Sequence, residues 1–257
     1  MLWLNTKKRI MHNIKISNIS YVNVLAFKTG LAAYKFPDNY NVTIYEDIPS
    51  KCAEKLKNGE CDLGIVPVAA INEIDSAKIV SNYCIASLKE VRSVMLFSHC
   101  PLSEISDIYL DYQSRTSVKL LQYLAKNKWK KQFNWLQASP GYEKQIKGKT
   151  AGLIIGDRAL KMYDSFPYKY DLAEEWNMLT GFPFVFAVWL ARKNVPEDFL
   201  QHFNNALANG VKEIETISHN LQQSYPYDIV NYLRNNIYYN FDEKCRNGLD
   251  FFLKSLH

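Results

Sequence analysis

Residues 182–192 read FPFVFAVWLAR, and this stretch decides the fold class. The ten residues from 182 to 191 form the longest apolar run of the chain. They are too few to cross a bilayer, because a membrane-spanning helix needs roughly 20 apolar residues. Aromatic and β-branched residues follow one another here without alternation, which predicts a long strand that is apolar on both faces.

Strands and helices alternate over the chain that precedes this stretch. A first α/β set covers residues 13 to about 98, and a second covers about 104 to 182. The strand at 183–192 then returns the chain to the first set, where the helical segment after Pro196 packs. Such a pattern predicts an α/β fold with two lobes, each a mixed, mostly parallel sheet flanked by helices, and a ligand cleft between them. The predicted boundaries are 13–98 with 190–257 for the first lobe, and 99–189 for the second.

The composition is that of a globular protein. Of the 257 residues, 47% are hydrophobic and 22% are charged, and 31 basic against 26 acidic residues give a net charge of +5. This excess is mild, and KNKWKK at 126–131 is typical of a solvated face, so we expect no nucleic-acid partner. The first fifteen residues lack the pattern of a signal peptide, and Met11 is a second candidate for the natural start. We therefore expect a soluble, cytoplasmic protein without a membrane segment.

Cysteine and histidine patterns argue against a metal or a nucleotide cofactor. Five cysteines occur without a CxxC pair, which predicts reduced thiols. Five histidines are scattered, with no HExxH spacing, so we predict no zinc site. No GxGxxG or Walker pattern occurs either, so dinucleotide or ATP binding is not supported.

Four junctions between predicted strands and helices carry chemically distinctive residues. The first is Asn23, which follows the first strand; it is either a helix N-cap or a ligand contact, and taken alone the cap is favoured. The second is Ser93, beside Arg92 in a β-rich run. A buried serine needs a partner, so it makes either a structural hydrogen bond or a ligand contact, and alone the structural bond is favoured.

The third junction is Ser114-Arg115-Thr116-Ser117, between a strand and a helix. Three hydroxyls, a guanidinium and free backbone N–H groups converge on one helix start, which is a favourable place for an anion. A bound anion would also offset the unfavourable position of Arg115 in the first turn. These residues therefore predict an anion site.

The fourth junction is Gly156-Asp157, at the end of the strand AGLIIGD. Asp157 is predicted to cap the following helix. The pair could also shape the side of the cleft that faces the anion site.

Together, these motifs resemble the chorismate dehydratase family of the futalosine route to menaquinone. The resemblance runs in order from about residue 14 to 192, and its most specific pieces are SRTS and TGFPFVFAVW. Two apolar positions differ from the common pattern, Val22 and Phe182, where leucine is usual. The segments that carry the resemblance are YVN (21–23), CDLGIVPV (61–68), VRSVMLFS (91–98), LDYQSRTSVKLL (110–121), GLIIGDRAL (152–160), DLAEEW (171–176) and TGFPFVFAVW (180–189).

The resemblance implies a fold, a reaction and a set of site residues. The fold would be that of the type II periplasmic binding proteins. The reaction would convert chorismate to 3-[(1-carboxyvinyl)oxy]benzoate and water, without metal or organic cofactor. Asn23 and Ser93 would lie next to the reacting ring, and residues 114–117 would clamp a carboxylate. On this basis Arg115→Ala should weaken chorismate binding by a few kcal/mol, since a hydrogen bond to a charged group contributes roughly 1.5–3 kcal/mol.

The matched motifs contain no evident general base, since none of the junctions carries a histidine. The enolpyruvyl carboxylate of chorismate is therefore a candidate to take the C3 proton itself, with the protein supplying orientation and electrostatics. Other functions fit the same fold: a non-catalytic cytosolic binding protein for aromatic carboxylates, or the sister enzyme dihydroxynaphthoate synthase. The ligand-binding domain of a transcription regulator is disfavoured, because no helix-turn-helix pattern precedes the first strand.

Overall fold

Two β-sheets, joined by two passages of the chain, carry the architecture. The computed structural model describes residues 11–75 and 77–256, so the prediction about the first fifteen residues lies mostly outside the described part. The strands are β1 His12–Ile19, β2 Tyr40–Asp47, β3 Leu63–Pro67, β4 Lys78–Ser87, β5 Val94–Ser98, β6 Asp107–Leu110, β7 Asn134–Gln137, β8 Thr150–Ile155, β9 Tyr168–Asp171, β10 Phe184–Ala191 and β11 Tyr238–Asn240. The α-helices are α1 Leu25–Ala33, α2 Pro49–Asn58, α3 Arg115–Asn127, α4 Asp157–Lys161, α5 Leu172–Thr180, α6 Glu197–Lys212, α7 Ile214–Leu221, α8 Ile229–Asn231 and α9 Glu243–Lys254.

The first sheet has six strands in the order β11-β4-β10-β3-β1-β2. β1 runs parallel to β2 and β3, whereas β10 runs antiparallel to β3 and β4, and β11 antiparallel to β4. All but one residue of β10 are buried, as expected for a strand that is apolar on both faces. Helix α6 packs against α1 and β4, and α9 packs against β10, so the C-terminal helices cover this sheet as predicted.

The second sheet has five strands in the order β7-β6-β8-β5-β9. β6 runs parallel to β7 and β8, and β5 runs antiparallel to β8 and β9. The two-lobed α/β fold is thus confirmed. Both sheets were predicted to be mostly parallel, but they contain more antiparallel strand pairs than that. The reason is that β5 and β10 enter their sheets from the other lobe and run antiparallel to their neighbours.

Two strands lie on the other side of the predicted lobe boundaries. The boundary at residue 98 assigned β5 to the first lobe, but β5 pairs with β8 and β9 in the second sheet. The boundary at residue 189 placed most of β10 in the second lobe, but the strand pairs with β3 and β4 in the first, as expected for a strand that returns the chain to that lobe. Both strands are buried apolar runs, and hydrophobicity does not record which sheet a strand joins. Sheet membership puts the passages between the lobes at residues 88–93 and 181–183.

No helix in the described part of the chain is both long enough and apolar enough to cross a membrane. The longest helix, α6, has 16 residues and is amphipathic, with Phe199, Phe203 and Leu207 buried against the first lobe.

Candidate active site

A cleft lies between the lobes. The carboxyl ends of β1, β3 and β8 border it, together with the passage at 88–93. The cleft encloses about 510 Å³ of empty space, part of it open to solvent. The residues that line it are Ile19, Tyr21, Asn23, Pro49, Pro67, Ile85, Val91, Ser93, Val94, Ser114, Thr116, Ser117, Ile155, Gly156, Phe186 and Ala187. This position agrees with the rule that ligands of α/β folds bind beyond the carboxyl ends of strands.

Six of the eight residues predicted for the site line this cleft, although they come from both lobes and four separate parts of the chain. Arg115 and Asp157 are not among the lining residues. The six are Asn23, Ser93, Ser114, Thr116, Ser117 and Gly156.

The start of helix α3 presents hydroxyl groups to the cleft. Ser114 is the N-cap, and its Oγ accepts a hydrogen bond from the Ser117 backbone N–H at 3.1 Å. The two serine Oγ atoms lie 2.9 Å apart. Thr116 Oγ1 accepts a hydrogen bond from the Ala69 N–H of the other lobe at 3.1 Å. The first backbone N–H groups of a helix have no partner within it, so this end of the cleft carries donors and a partial positive charge.

Arg115 lies on the other side of the same helix start. Its guanidinium pairs with Glu73 of the first lobe at 2.8 Å, and it lines a separate cavity together with Glu54 and Lys57. Arg115 and Ser117 are two positions apart on the helix, a rotation of about 200°, so their side chains lie on nearly opposite sides. The predicted carboxylate clamp is therefore corrected in one respect: three hydroxyls face the cleft, and the guanidinium does not.

Asn23 lies in a 3₁₀ turn, Val22–Val24, between β1 and α1. The N-cap of this turn is Tyr21, and that of α1 is Val24, so the interpretation of Asn23 as a cap is wrong. Its Oδ1 is buried and accepts no hydrogen bond from any described residue. Asn23 lines the cleft, so this acceptor is available to a donor on a ligand there.

Ser93 is fixed by contacts from both lobes. Its backbone C=O accepts a hydrogen bond from the Gly156 N–H at 2.8 Å, and its Oγ accepts one from the Tyr232 hydroxyl at 2.8 Å. Just before it, Arg92 has a φ of 59°, an unusual value for a residue with a side chain. The Asp171 carboxylate holds this bend by accepting from the N–H groups of Val91 and Arg92 at 2.8 and 2.6 Å.

Gly156 lies in the wall of the cleft, and both Gly156 and Asp157 contact the first lobe. Gly156 has φ 64° and ψ −147°, which only glycine adopts readily, and a Cβ there would lie 3.0 Å from the Tyr21 ring. Asp157 is the first residue of α4 rather than its cap. Its Oδ1 accepts a hydrogen bond from the Val22 N–H at 3.1 Å, and burial raises the pKa of its carboxyl.

Comparison with known proteins identifies the family. The profile of a family described as "Menaquinone biosynthesis" matches residues 14–257. The chain belongs to this family. That result confirms the resemblance predicted from the motifs, which extended only to residue 192, and adds the C-terminal helices to it.

Two relatives in the menaquinone biosynthesis family and one solved structure are informative. A chorismate dehydratase from Campylobacter jejuni is 29% identical over 248 residues, covering 92% of this chain and 95% of the relative. A chorismate dehydratase from Thermus thermophilus is 27% identical over 238 residues, covering 81% and 84%. A Candida albicans protein with the generic periplasmic binding protein fold superposes with a TM-score of 0.65 at 10% identity, covering 95% and 91%. At this identity the last comparison shows the fold alone.

A network that the sequence did not predict stands behind the cleft of this family member. The Tyr21 hydroxyl donates to Gln113 Oε1, which also accepts from Arg158 at 3.1 Å. Arg158 pairs with Asp111 at 2.5 Å and with Glu143 at 2.6 Å. The motif YVN contains Tyr21, but only the fold brings it to residues 113 and 158. This network and the Val22–Asp157 bond hold the lobes together beside the cleft.

The cleft itself carries hydrogen-bonding groups but no formal charge. Among its lining residues, all of which lie in the described part of the chain, none is Asp, Glu, His, Lys or Arg. Burial and the neighbouring Asp111 raise the pKa of Tyr21, so this phenol stays neutral. Within the described ranges, no group of three or more His, Cys, Asp or Glu side chains is arranged to hold a metal ion.

Proposed function

We propose that the protein is a lyase that dehydrates chorismate to 3-[(1-carboxyvinyl)oxy]benzoate in menaquinone biosynthesis. The observation that carries this proposal is the cleft between the lobes: it is rich in hydroxyls, begins at a helix N-terminus, and has no ionised lining side chain. Two relatives that match most of the chain are named chorismate dehydratases, which supports the same reaction. The proposal includes a cytoplasmic location, which fractionation of cells would test.

Chorismate is a dianion, and the start of α3 offers a seat for one of its carboxylates. The Thr116 hydroxyl, one hydroxyl of the hydrogen-bonded Ser114–Ser117 pair, and the N–H groups of the first turn that have no partner can donate to that seat. The apolar walls formed by Ile155 and Phe186 would hold the ring. Binding would therefore rest on neutral donors and the helix dipole rather than on an ion pair.

The Asn23 amide has a specific partner in this substrate. When both carboxylates are ionised, the C4 hydroxyl is the only hydrogen-bond donor that chorismate carries. Asn23 Oδ1 is the buried acceptor in the cleft wall that lacks a donor. Pairing the two satisfies both groups and places the bond that must break beside Asn23 and Ser93.

The dehydration can be written with the substrate as its own base. The enolpyruvyl carboxylate takes the C3 proton, and the C–H electron pair delocalises through the ring double bond into the ring carboxylate. The C4–O bond then breaks, the electron pair makes the ring aromatic, and the departing hydroxide takes the proton from the enolpyruvyl carboxyl to become water. The protein orients the dianion and donates hydrogen bonds to the developing charge.

Product analysis tests the proposed reaction directly. The full-length protein is incubated with chorismate, and the mixture is separated and analysed by mass spectrometry. We expect loss of one water and formation of 3-[(1-carboxyvinyl)oxy]benzoate. Recovery of unchanged chorismate bound to the protein would instead indicate a receptor. A protein that leaves chorismate alone and does not bind it would point to another reaction of the family, such as that of dihydroxynaphthoate synthase.

Replacement of nearby carboxylates tests the substrate-assisted step. Asp157 is the acidic residue adjacent to the lining residue Gly156, and Asp111 lies in the network behind the wall. We expect Asp157→Asn and Asp111→Asn, where folded, to keep measurable turnover. If either variant bound chorismate normally but had no turnover, that carboxylate would be the base and the substrate-assisted step would be wrong.

A further inference from the structure

Tyr232 approaches the cleft from behind, although it is not one of the lining residues. It begins the π-helical turn Tyr232–Asn236 in the C-terminal part of the chain and is only 2% exposed. Its hydroxyl lies 2.8 Å from Ser93 Oγ, and Ser93 is likewise only 2% exposed. This contact joins residues 139 positions apart in the sequence.

The direction of this hydrogen bond follows from acidity. A phenol is a stronger acid than an aliphatic alcohol, so Tyr232 donates and Ser93 Oγ accepts. Serine has one hydroxyl proton, which this arrangement leaves unused. Among the described residues, Ser93 Oγ has no further partner, and Ser93 lines the cleft. The free proton of Ser93 is therefore directed away from Tyr232 and is available to a ligand.

We infer that Tyr232 is a positioning residue, which fixes the Ser93 hydroxyl as a hydrogen-bond donor to the departing C4 oxygen of the substrate. This inference rests on the proposed function. The C4 oxygen gains negative charge as its bond to carbon breaks, and a donor held in advance stabilises that charge more than one that must first rotate into place.

The contact positions Ser93 rather than passing a proton along. Transfer from Tyr232 through Ser93 would leave a phenolate at position 232. Burial raises the pKa of the Tyr232 phenol well above its usual value, so this phenolate is unfavourable. The proton that completes the departing water therefore comes from the protonated enolpyruvyl carboxyl of the substrate, which keeps protons and electrons in balance.

The chain offers a matched control for testing this role. Tyr239 is a buried tyrosine of the same region, and its hydroxyl has no hydrogen-bond partner among the described residues. Tyr232→Phe and Tyr239→Phe each remove one buried oxygen, but only the first removes a bond to Ser93. The experiment measures kcat and KM for chorismate with both variants, with Ser93→Ala and with the Ser93→Ala/Tyr232→Phe double variant.

We expect Tyr232→Phe to lower kcat by roughly tenfold to a hundredfold and to change KM by less than about threefold, because the interaction acts in the transition state. Tyr239→Phe should change kcat by less than about twofold. Since Tyr232 acts through Ser93, the double variant should be no slower than Ser93→Ala alone. A wild-type kcat for Tyr232→Phe, or effects that multiply in the double variant, would overturn the inference.

Folding and reaction identity are checked separately. Circular dichroism and thermal melting establish whether each variant is folded. If Tyr232→Phe is unfolded, Ser93→Ala alone still tests the inference. A wild-type kcat for Ser93→Ala would refute a hydrogen-bond donor at position 93. If the wild-type protein itself produces no 3-[(1-carboxyvinyl)oxy]benzoate, the proposed function fails. A wild-type protein that turns over, with an equally active Tyr232→Phe variant, refutes only the role of Tyr232.

Discussion

The walls of the cleft and the layer of side chains behind them differ in charge. The described lining residues carry hydroxyls, one amide and apolar groups, with no ionised side chain. Behind this lining, Arg158 forms ion pairs with Asp111 and Glu143. The Asp171 carboxylate lies beside the passage between the lobes. Arg115 and Glu73 form a further pair on the outer side of α3. The two regions are adjacent, yet they use different chemistry.

This difference separates the groups that stabilise the wall from those proposed to hold the substrate. The ion pairs of Arg158 fix the second lobe behind the wall, and neutral donors line the cleft. A carboxylate in the cleft wall would repel a dianionic substrate, whereas serine hydroxyls and helix N–H groups would bind it without adding an acid or a base. We therefore expect changes to the buried ion pairs behind the wall to alter stability, and changes to polar residues of the wall to alter binding and turnover.

The largest effect should come from Arg158→Ala. The side chain of Asp111 is completely buried, and removal of its cationic partner leaves an uncompensated carboxylate. We expect the free energy of unfolding to fall by roughly 3–5 kcal/mol, as measured by urea denaturation at neutral pH. Burial raises the pKa of Asp111 despite the neighbouring guanidinium, so removing this carboxylate from water is already unfavourable when Arg158 is present.

The matched control for Arg158→Ala is Arg234→Ala. Arg234 pairs with Glu215 at 2.8 Å, but both side chains are more than half exposed. An exposed pair contributes about 1 kcal/mol or less. Equal destabilisation by the two substitutions would contradict the distinction between buried and exposed ion pairs.

The next-largest effect is the pH dependence of the free energy of unfolding that Asp171 causes. Burial raises the pKa of Asp171 to about 7 from the ordinary value of 3.8. Between about pH 4 and 7 the unfolded chain has lost this proton while the folded protein still holds it. The free energy of unfolding should therefore fall by a few kcal/mol as pH rises through this window, at about 1.4 kcal/mol per pKa unit.

Asp171→Asn removes this titration and keeps an oxygen that can accept hydrogen bonds from Val91 and Arg92. Urea unfolding of both proteins at pH 4, 5.5 and 7 isolates the contribution of Asp171, because the other titrating groups are common to both. We expect the difference in stability, wild type minus variant, to decrease with rising pH. A difference independent of pH would mean that Asp171 ionises at its ordinary value in the folded protein.

The smallest effects are expected for chorismate affinity, when two residues of helix α3 are replaced in turn. Ser117 is buried and lines the cleft, so Ser117→Ala should weaken chorismate binding by about tenfold to a hundredfold, the usual range for a hydrogen bond to a charged group. The Arg115 side chain is 65% exposed and pairs outside the cleft, so Arg115→Ala should change the affinity by less than about threefold. Isothermal titration measures both. The reverse order would restore the clamp predicted from the sequence.

Asn23 and Ser93 were placed at the site by the family resemblance, because each taken alone favoured a structural role. Residues 114–117 were selected because they stand at a junction between a strand and a helix, and the carboxyl ends of strands are where such folds bind ligands. The error over Arg115 has the same origin. A junction identifies the start of a helix, but residue type does not say which side of the first turn faces the cleft.

By itself, the sequence determined the alternation of strands and helices, the return strand at 182–192, the family and the hydroxyl-rich helix start. These are local properties, set by hydrophobic periodicity, capping residues and short motifs. Only the tertiary structure decided which sheet β5 joins, that Arg115 faces away from the cleft, and that Tyr232 contacts Ser93. Such contacts depend on how distant segments pack, and no local pattern records the distance or direction between residues far apart in the chain.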